Sequence, residues 1–323
     1  MSRLVLVITI FLLSLGALYA QDARFSQTME SFKTAFNQQD YDALFELTSE
    51  YMQSQINYET LESVMKQYHD AFGNLDSFEF VEQKDDSALF IGHFENGKQR
   101  IGMALNEKDL LSGFRFLPTT DANKTASMER NKTSMSLPFK GDWFVFWGGD
   151  TKAQNYHVVS TAQKNAFDIV MLGDNNRSYK NKGLYNEDYY AFGQPLYAVC
   201  DAVAVKVITG IEDNIPGQMN SVDALGNAII LKTANDEYIV YAHFKNSTIA
   251  IKEGDTVSRG QYLGDCGNSG NSSEAHIHFH LQDGPNVVNA IGIKCFFDQI
   301  IVNGELKEDY SPVRLEKISA PQN

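Results

Sequence analysis

"GNSGNSSEAHIHFH", residues 267–280, ends a glycine- and serine-rich stretch with histidines at every second position. In an extended strand successive side chains alternate between faces. His276, His278 and His280 therefore share one face, with neighbours about 7 Å apart, while Ile277 and Phe279 point to the other. The chain holds seven histidines in 323 residues, and five of them lie beyond residue 138, so the segment is unusually rich. Alternate histidines suit a plain solvated strand face as well as a metal centre, and the choice turns on distant partners. His157 in "NYH" and His243 in "YIVYAHF" are the other two histidines beyond residue 138. Asp168 is the best carboxylate to join them. Flanked by Ala166, Phe167, Ile169 and Val170, it falls in an apolar strand, where a carboxylate must be paired or metal-bound. The plainer alternative is a turn cap or a pair with Lys164.

The surroundings are β-forming. "DWFVFWGG", "AFDIVM", "PLYAVCDAVAVKVI", "GNAIILKT", "EYIVYAHF" and "TVSRGQYLGDCG" follow one another between glycine turns with little helical period. This predicts a mostly antiparallel β domain over 138–310, followed by a tail over 311–323. Upstream, "PTTDANKTASMERNKTSMSLP" is polar and lacks apolar periodicity, which reads as a linker over 119–137.

Residues 21–118 read differently. Phe25, Met29, Phe32 and Phe36 recur at steps of four, three and four, the spacing of one helical face. Asp40 is placed to cap a second helix, and Thr60 opens a third that runs through Phe72 to Gly73. From Phe78 the segments "SFEFVEQ", "SALFIGHFE", "QRIGMALNE" and "LSGFRFL" read as antiparallel strands. Helices followed by sheet predict an α+β domain. The pattern resembles the nuclear-transport-factor-like superfamily, in which a curved sheet wraps a helix. That fold hosts enzymes and binding modules alike, so it assigns no role. His69 and His93 lie here without a ligand-spaced companion.

At the amino terminus Arg3 precedes an apolar run from Leu4 to Leu13, with small residues at Ala17 and Ala20, the order of a secretory signal over 1–20. Leu18 stands where a small residue is preferred, and the alternative is an uncleaved anchor. A secreted or periplasmic protein without stable membrane insertion after signal removal is expected. The net charge of −14 repels phosphates and argues against nucleic acid as a partner. Cys200, Cys266 and Cys295 are too few and too scattered for a disulfide framework or a cysteine metal cluster, and read as buried thiols.

Over most of residues 143–285 the segments, in their order, resemble the lysostaphin-like murein metalloendopeptidases, also called the LytM type. The parts carrying the resemblance are "FGQPLYAVCDAVAVKV", "YAHF", "IKEGDTVSRGQYLGDCGNSGNSS" and the closing H-x-H of "AHIHFHLQ". It implies zinc held by Asp168 and His278, with His243 and His276 as the catalytic pair. It also implies a peptide substrate in peptidoglycan, either stem peptides or cross-bridges. One ligand departs from the pattern. The family writes its first motif H-x-x-x-D, and the position four before Asp168 is Lys164. A subset of the family displaces that histidine upstream, and by this likeness His157 becomes the third ligand. Ala202, Ala275 and His280 depart more mildly, from glycine, proline and glutamate respectively. Two other readings compete with the zinc endopeptidase. One is a metal-free degenerate relative that binds cell-wall peptides or regulates a hydrolase; the other is a small-molecule metal enzyme of cupin-like form.

Overall fold

The computed structural model describes residues 23–117 and 129–321; the signal read over 1–20 lies outside them, as does most of the first half of the linker segment. The chain divides into two compact units, Met1–Thr119 and Thr120–Asn323.

In the first unit the helices are α1 (Ala23–Gln38), α2 (Tyr41–Glu46), α3 (Glu50–Gln55) and α4 (Tyr58–Phe72). Phe25, Met29, Phe32 and Phe36 of α1 are all buried, so the apolar stripe does face the core. The Asp40 carboxylate accepts from the Ala43 amide at 3.0 Å, as its position predicts. The start of α4 is set by Asn57, whose side chain accepts from the Thr60 amide, three residues earlier than the sequence suggests. Helix α3 was not anticipated. It buries no side chain, so it carries no apolar period to read. Strands β1 (Leu75–Lys84), β2 (Ser87–Phe94), β3 (Gly97–Leu105) and β4 (Leu111–Leu117) pair in sequence order as an antiparallel meander. Ala88, Phe90 and Phe94 alternate inward along β2, and Phe32 stacks at 4.5 Å on Phe114 of β4.

The regular elements of the second unit are almost all antiparallel strands. Its strands are β5 (Trp143–Trp147), β6 (Phe167–Val170), β7 (Pro195–Tyr197), β8 (Ala202–Ile208), β9 (Asn227–Lys232), β10 (Tyr238–Phe244), β11 (Thr256–Val257) and β12 (Tyr262–Asp265). They continue with β13 (Ile277–Gln282), β14 (Gly292–Ile293), β15 (Phe297–Val302), β16 (Glu305–Tyr310) and β17 (Lys317–Ser319). The large sheet runs β11-β8-β9-β10-β13-β6-β5-β17-β15-β16, with β14 paired to β13; β12 and β7 form a separate pair. Two boundaries differ from the sequence reading. Met135 and Leu137, inside the stretch read as linker, are buried in the core of this unit, and Asp298 accepts from the Met135 amide. The stretch read as a tail contributes β17, which joins β15 to β5. Both segments are short and polar enough to mask the few apolar residues that anchor them.

Strand β13 lies between β10 and β6, at the middle of this sheet. Ile277, Phe279 and Leu281 are fully buried, with Phe279 against Tyr241 at 5.2 Å, so one face of the strand packs the core and the other carries the histidines. Cys200, Cys266 and Cys295 are free, buried thiols. Among the described residues no helix is long and apolar enough to cross a membrane.

Candidate metal centre

Register brings the first two groups together. In the β13–β6 pairing His278 sits directly opposite Asp168, so the strand-face histidine and the buried carboxylate meet across the ladder. His278 Nδ1 lies 2.9 Å from Asp168 Oδ1. His157 arrives from a short 3-10 helix, Tyr156–Val159, and its Nε2 lies 3.6 Å from Asp168 Oδ2. One ligand atom from each of His157, Asp168 and His278 falls within 4.8 Å of the others, and all three residues are buried. A tetrahedral zinc with bonds of about 2.0–2.1 Å spaces its ligands roughly 3.3 Å apart, so the two measured separations bracket the required one. Two imidazoles and one carboxylate are also the donor set such an ion takes in hydrolytic sites, and the residues fit the group.

Asn155 fixes the orientation of His157. Its side-chain oxygen accepts from the His157 amide at 3.1 Å and stands 2.9 Å from Nδ1, while its amide nitrogen donates to the carbonyls of Gly149 and Ala166. Nδ1 of His157 therefore carries the proton, and the Nε2 lone pair faces Asp168. Sequence reading missed Asn155; the only signal was a polar residue two before the histidine.

His243 and His276 flank the cluster, with ring centres 4.8 Å apart. Each donates Nδ1–H to a carbonyl: His243 to Ser269 at 2.7 Å, His276 to Glu274 at 2.8 Å. Nε2 is thus the acceptor nitrogen of both, and that of His276 lies 3.6 Å from Asp168 Oδ1. His243 reaches the site only because β10 bulges. The β10–β9 register slips between Tyr241 and Phe244, and His243 adopts φ 66°, a strained conformation for a non-glycine residue. Without the bulge His243 would share the face of Tyr241. Tyr241 itself points into the core, where its hydroxyl accepts from the Val199 amide at 3.0 Å and donates to the Tyr197 carbonyl. It is a core aromatic, not a site hydroxyl.

Burial lowers His157 to about 4 and holds His243 well below the usual imidazole range. Burial works to raise the Asp168 carboxyl, but the surrounding histidines, His276 foremost, outweigh it and keep the group ionised. The same attraction raises His276 despite its burial. Lys164, four residues before Asp168, lines a cavity with Glu129, Asp150 and Lys294. In the first unit His69 bonds Asn74 and His93 pairs with Glu79.

Fold and site together define an antiparallel β domain built around a candidate metal centre. The model of peptidase family M23 matches residues 187–290, within the second unit. The match includes His243, His276 and His278 but begins after His157 and Asp168, so tertiary structure alone brings those two to the site. Residues 30–114 match a family described as a protein of unknown function, DUF3887. No curated protein matches the chain. Among solved structures, one from Ruminococcus gnavus ATCC 29149, provisionally assigned as the glycyl-glycine endopeptidase lytM, is 19% identical, with TM-score 0.26, over 39% of this chain and 42% of that one. The catalytic domain of lysostaphin from Staphylococcus simulans is 24% identical over 35% of this chain and 81% of its own, with TM-score 0.24. A zinc-containing peptidase from Vibrio cholerae is 12% identical over 76% of this chain and 94% of its own, with TM-score 0.30. This chain thus spans less than half the length of the Ruminococcus protein.

Proposed function

We propose that the second unit is a zinc-dependent endopeptidase that hydrolyses peptide bonds of peptidoglycan, with His157, Asp168 and His278 holding the ion. The observation that carries this reading is the convergence of two buried imidazoles on one buried carboxylate, beside two more histidines whose Nε2 atoms are acceptors. Bound zinc would supply a Lewis acid and lower the pKa of water toward about 7. The chain supplies the proton handling. His276, raised by Asp168, takes a proton at Nε2 from the attacking water and holds it for the leaving amine. His243, fixed by Ser269, orients that water by accepting from it at its own Nε2. The described residues contain no H-E-x-x-H sequence, so no glutamate base of that kind competes for the role.

The substrate reading, stem peptides or cross-bridges, is supported by the family match and by the secretory signal read from the sequence over 1–20, and the same two observations support a location in the cell envelope. For the first unit we retain the nuclear-transport-factor-like reading, supported by its helices followed by an antiparallel meander. The test is metal analysis of the purified chain together with digestion of purified peptidoglycan. About one zinc per chain, lost in His157→Ala, and fragment release abolished in a zinc-replete His276→Ala support the peptidase. A metal-free wild type that binds wall peptides without cutting them would replace it with the degenerate binding module.

A further inference from the structure

His280 and Gln282 continue the row of the site face inward, and the cluster as described gives neither a task. Both are fully buried. His278 Nε2 lies 2.9 Å from His280 Nδ1, His280 Nε2 lies 3.0 Å from Gln282 Oε1, and Gln282 Nε2 donates to the Gly284 carbonyl at 2.8 Å. We propose that this row is a tautomer relay, in which Gln282 acts through His280 to fix which nitrogen of His278 faces Asp168. The proposal rests on the reading of His278 as a metal ligand.

The relay follows from donor and acceptor chemistry. Gly284 offers a carbonyl, which accepts only, so the Gln282 amide must turn its NH2 toward it; the flipped amide would set two oxygens against each other. Gln282 Oε1 then faces His280 and also accepts only, so His280 must carry its proton on Nε2. His280 is fully buried and its two ring nitrogens face only His278 and the Gln282 amide, neither of them an anion that would hold a charged ring, so it is neutral and its Nδ1 is a lone pair. That lone pair requires the proton of His278 on Nε2. What remains on His278 is an Nδ1 lone pair 2.9 Å from a carboxylate oxygen, two acceptors face to face. A shared cation relieves their repulsion, and His157 aims its own Nε2 lone pair at the same carboxylate. One backbone carbonyl, two residues beyond the end of the row, thus settles the coordinating atom of His278. His280 and Gln282 are positioning residues: neither touches substrate or ion.

The test is nitrogen NMR of the histidine rings in the full chain, with zinc affinity by chelator competition. His280 is expected as the Nε2-protonated tautomer, with and without zinc. Gln282→Leu should weaken zinc roughly 10–100-fold, as loss of such supporting partners does elsewhere, and Gln282→Glu, which keeps the acceptor, should restore affinity. A His280 protonated on Nδ1 overturns the relay, as does a folded Gln282→Leu that binds zinc like the wild type. Should Gln282→Leu not fold, the wild-type tautomer decides alone. Should the wild type bind no zinc, the peptidase reading fails, while the His280 tautomer of the metal-free chain still upholds or overturns the relay.

Discussion

Lowering the pH of the metal-free chain from 7.5 to 5 should strip stability from the second unit well before carboxylates titrate. His157 and His280 are buried with folded values of about 4 and about 3, against 6.5 for a free imidazole. Because the unfolded chain takes up protons first, the stability these groups carry is complete above about 6.5. It drains as pH falls toward the folded values. At pH 5 each ring has cost about 2 kcal/mol by linkage, or about 4 kcal/mol together, a large share of the 5–15 kcal/mol of a typical domain. His243, also lowered by burial, adds in the same direction. His276 opposes: burial pulls it down, but the Asp168 carboxylate outweighs that, so it adds stability below 6.5 and trims the net loss. The assay is urea unfolding after chelator treatment, followed by tryptophan fluorescence. Both tryptophans, Trp143 and Trp147, lie on β5, so the signal reports this unit and not the first. In His280→Gln the loss between pH 7.5 and 5 should shrink by about 2 kcal/mol, the share assigned to one ring. A midpoint that is flat over this range, or an unaltered slope in His280→Gln, would refute the argument that these rings are buried neutral.

Two further outcomes separate core from site. Tyr241→Phe should cost about 1–3 kcal/mol, because the buried Val199 amide loses its acceptor, yet leave peptidoglycan digestion per folded molecule unchanged; a selective loss of turnover would return the hydroxyl to the chemistry. Gly270→Ala should both destabilise and inactivate. Gly270 has φ 79° and an added Cβ would meet Gly226 N at 2.3 Å, so the loop must shift and carry with it the Ser269 carbonyl that orients His243. Alanine there costs at least about 1 kcal/mol from the left-handed backbone alone, and a variant as stable and active as wild type would show that the loop does not hold the ring.

The residues predicted for the site converge, but by two routes. His276 and His278 could be placed on one face by alternation alone, and Asp168 was legible as a charge in an apolar strand. Their pairing is a matter of register between β13 and β6, separated by more than a hundred residues of chain, and no local pattern encodes it. Tyr241 and His243, two apart, should share a face by the same alternation. The β-bulge breaks the parity and sends one to the core and the other to the site. Asn155, Ser269, Glu274 and Gln282 were unreadable as partners, because carbonyls and amides acquire their tasks only from what packs beside them.

By itself the sequence determined the order of helices before sheet, the inward stripe of α1, the alternation of β13 and the histidine-rich composition of the second unit. All of these depend on neighbours within a few residues, where backbone geometry alone sets the period. Tertiary structure decided which histidine joins Asp168 and His278 in the cluster, which nitrogen of each of these rings faces the carboxylate, and where the second unit begins and ends. Those depend on hydrogen-bond partners and strand neighbours that are distant in the chain, and a buried polar group takes its role from whichever of them completes its bonding.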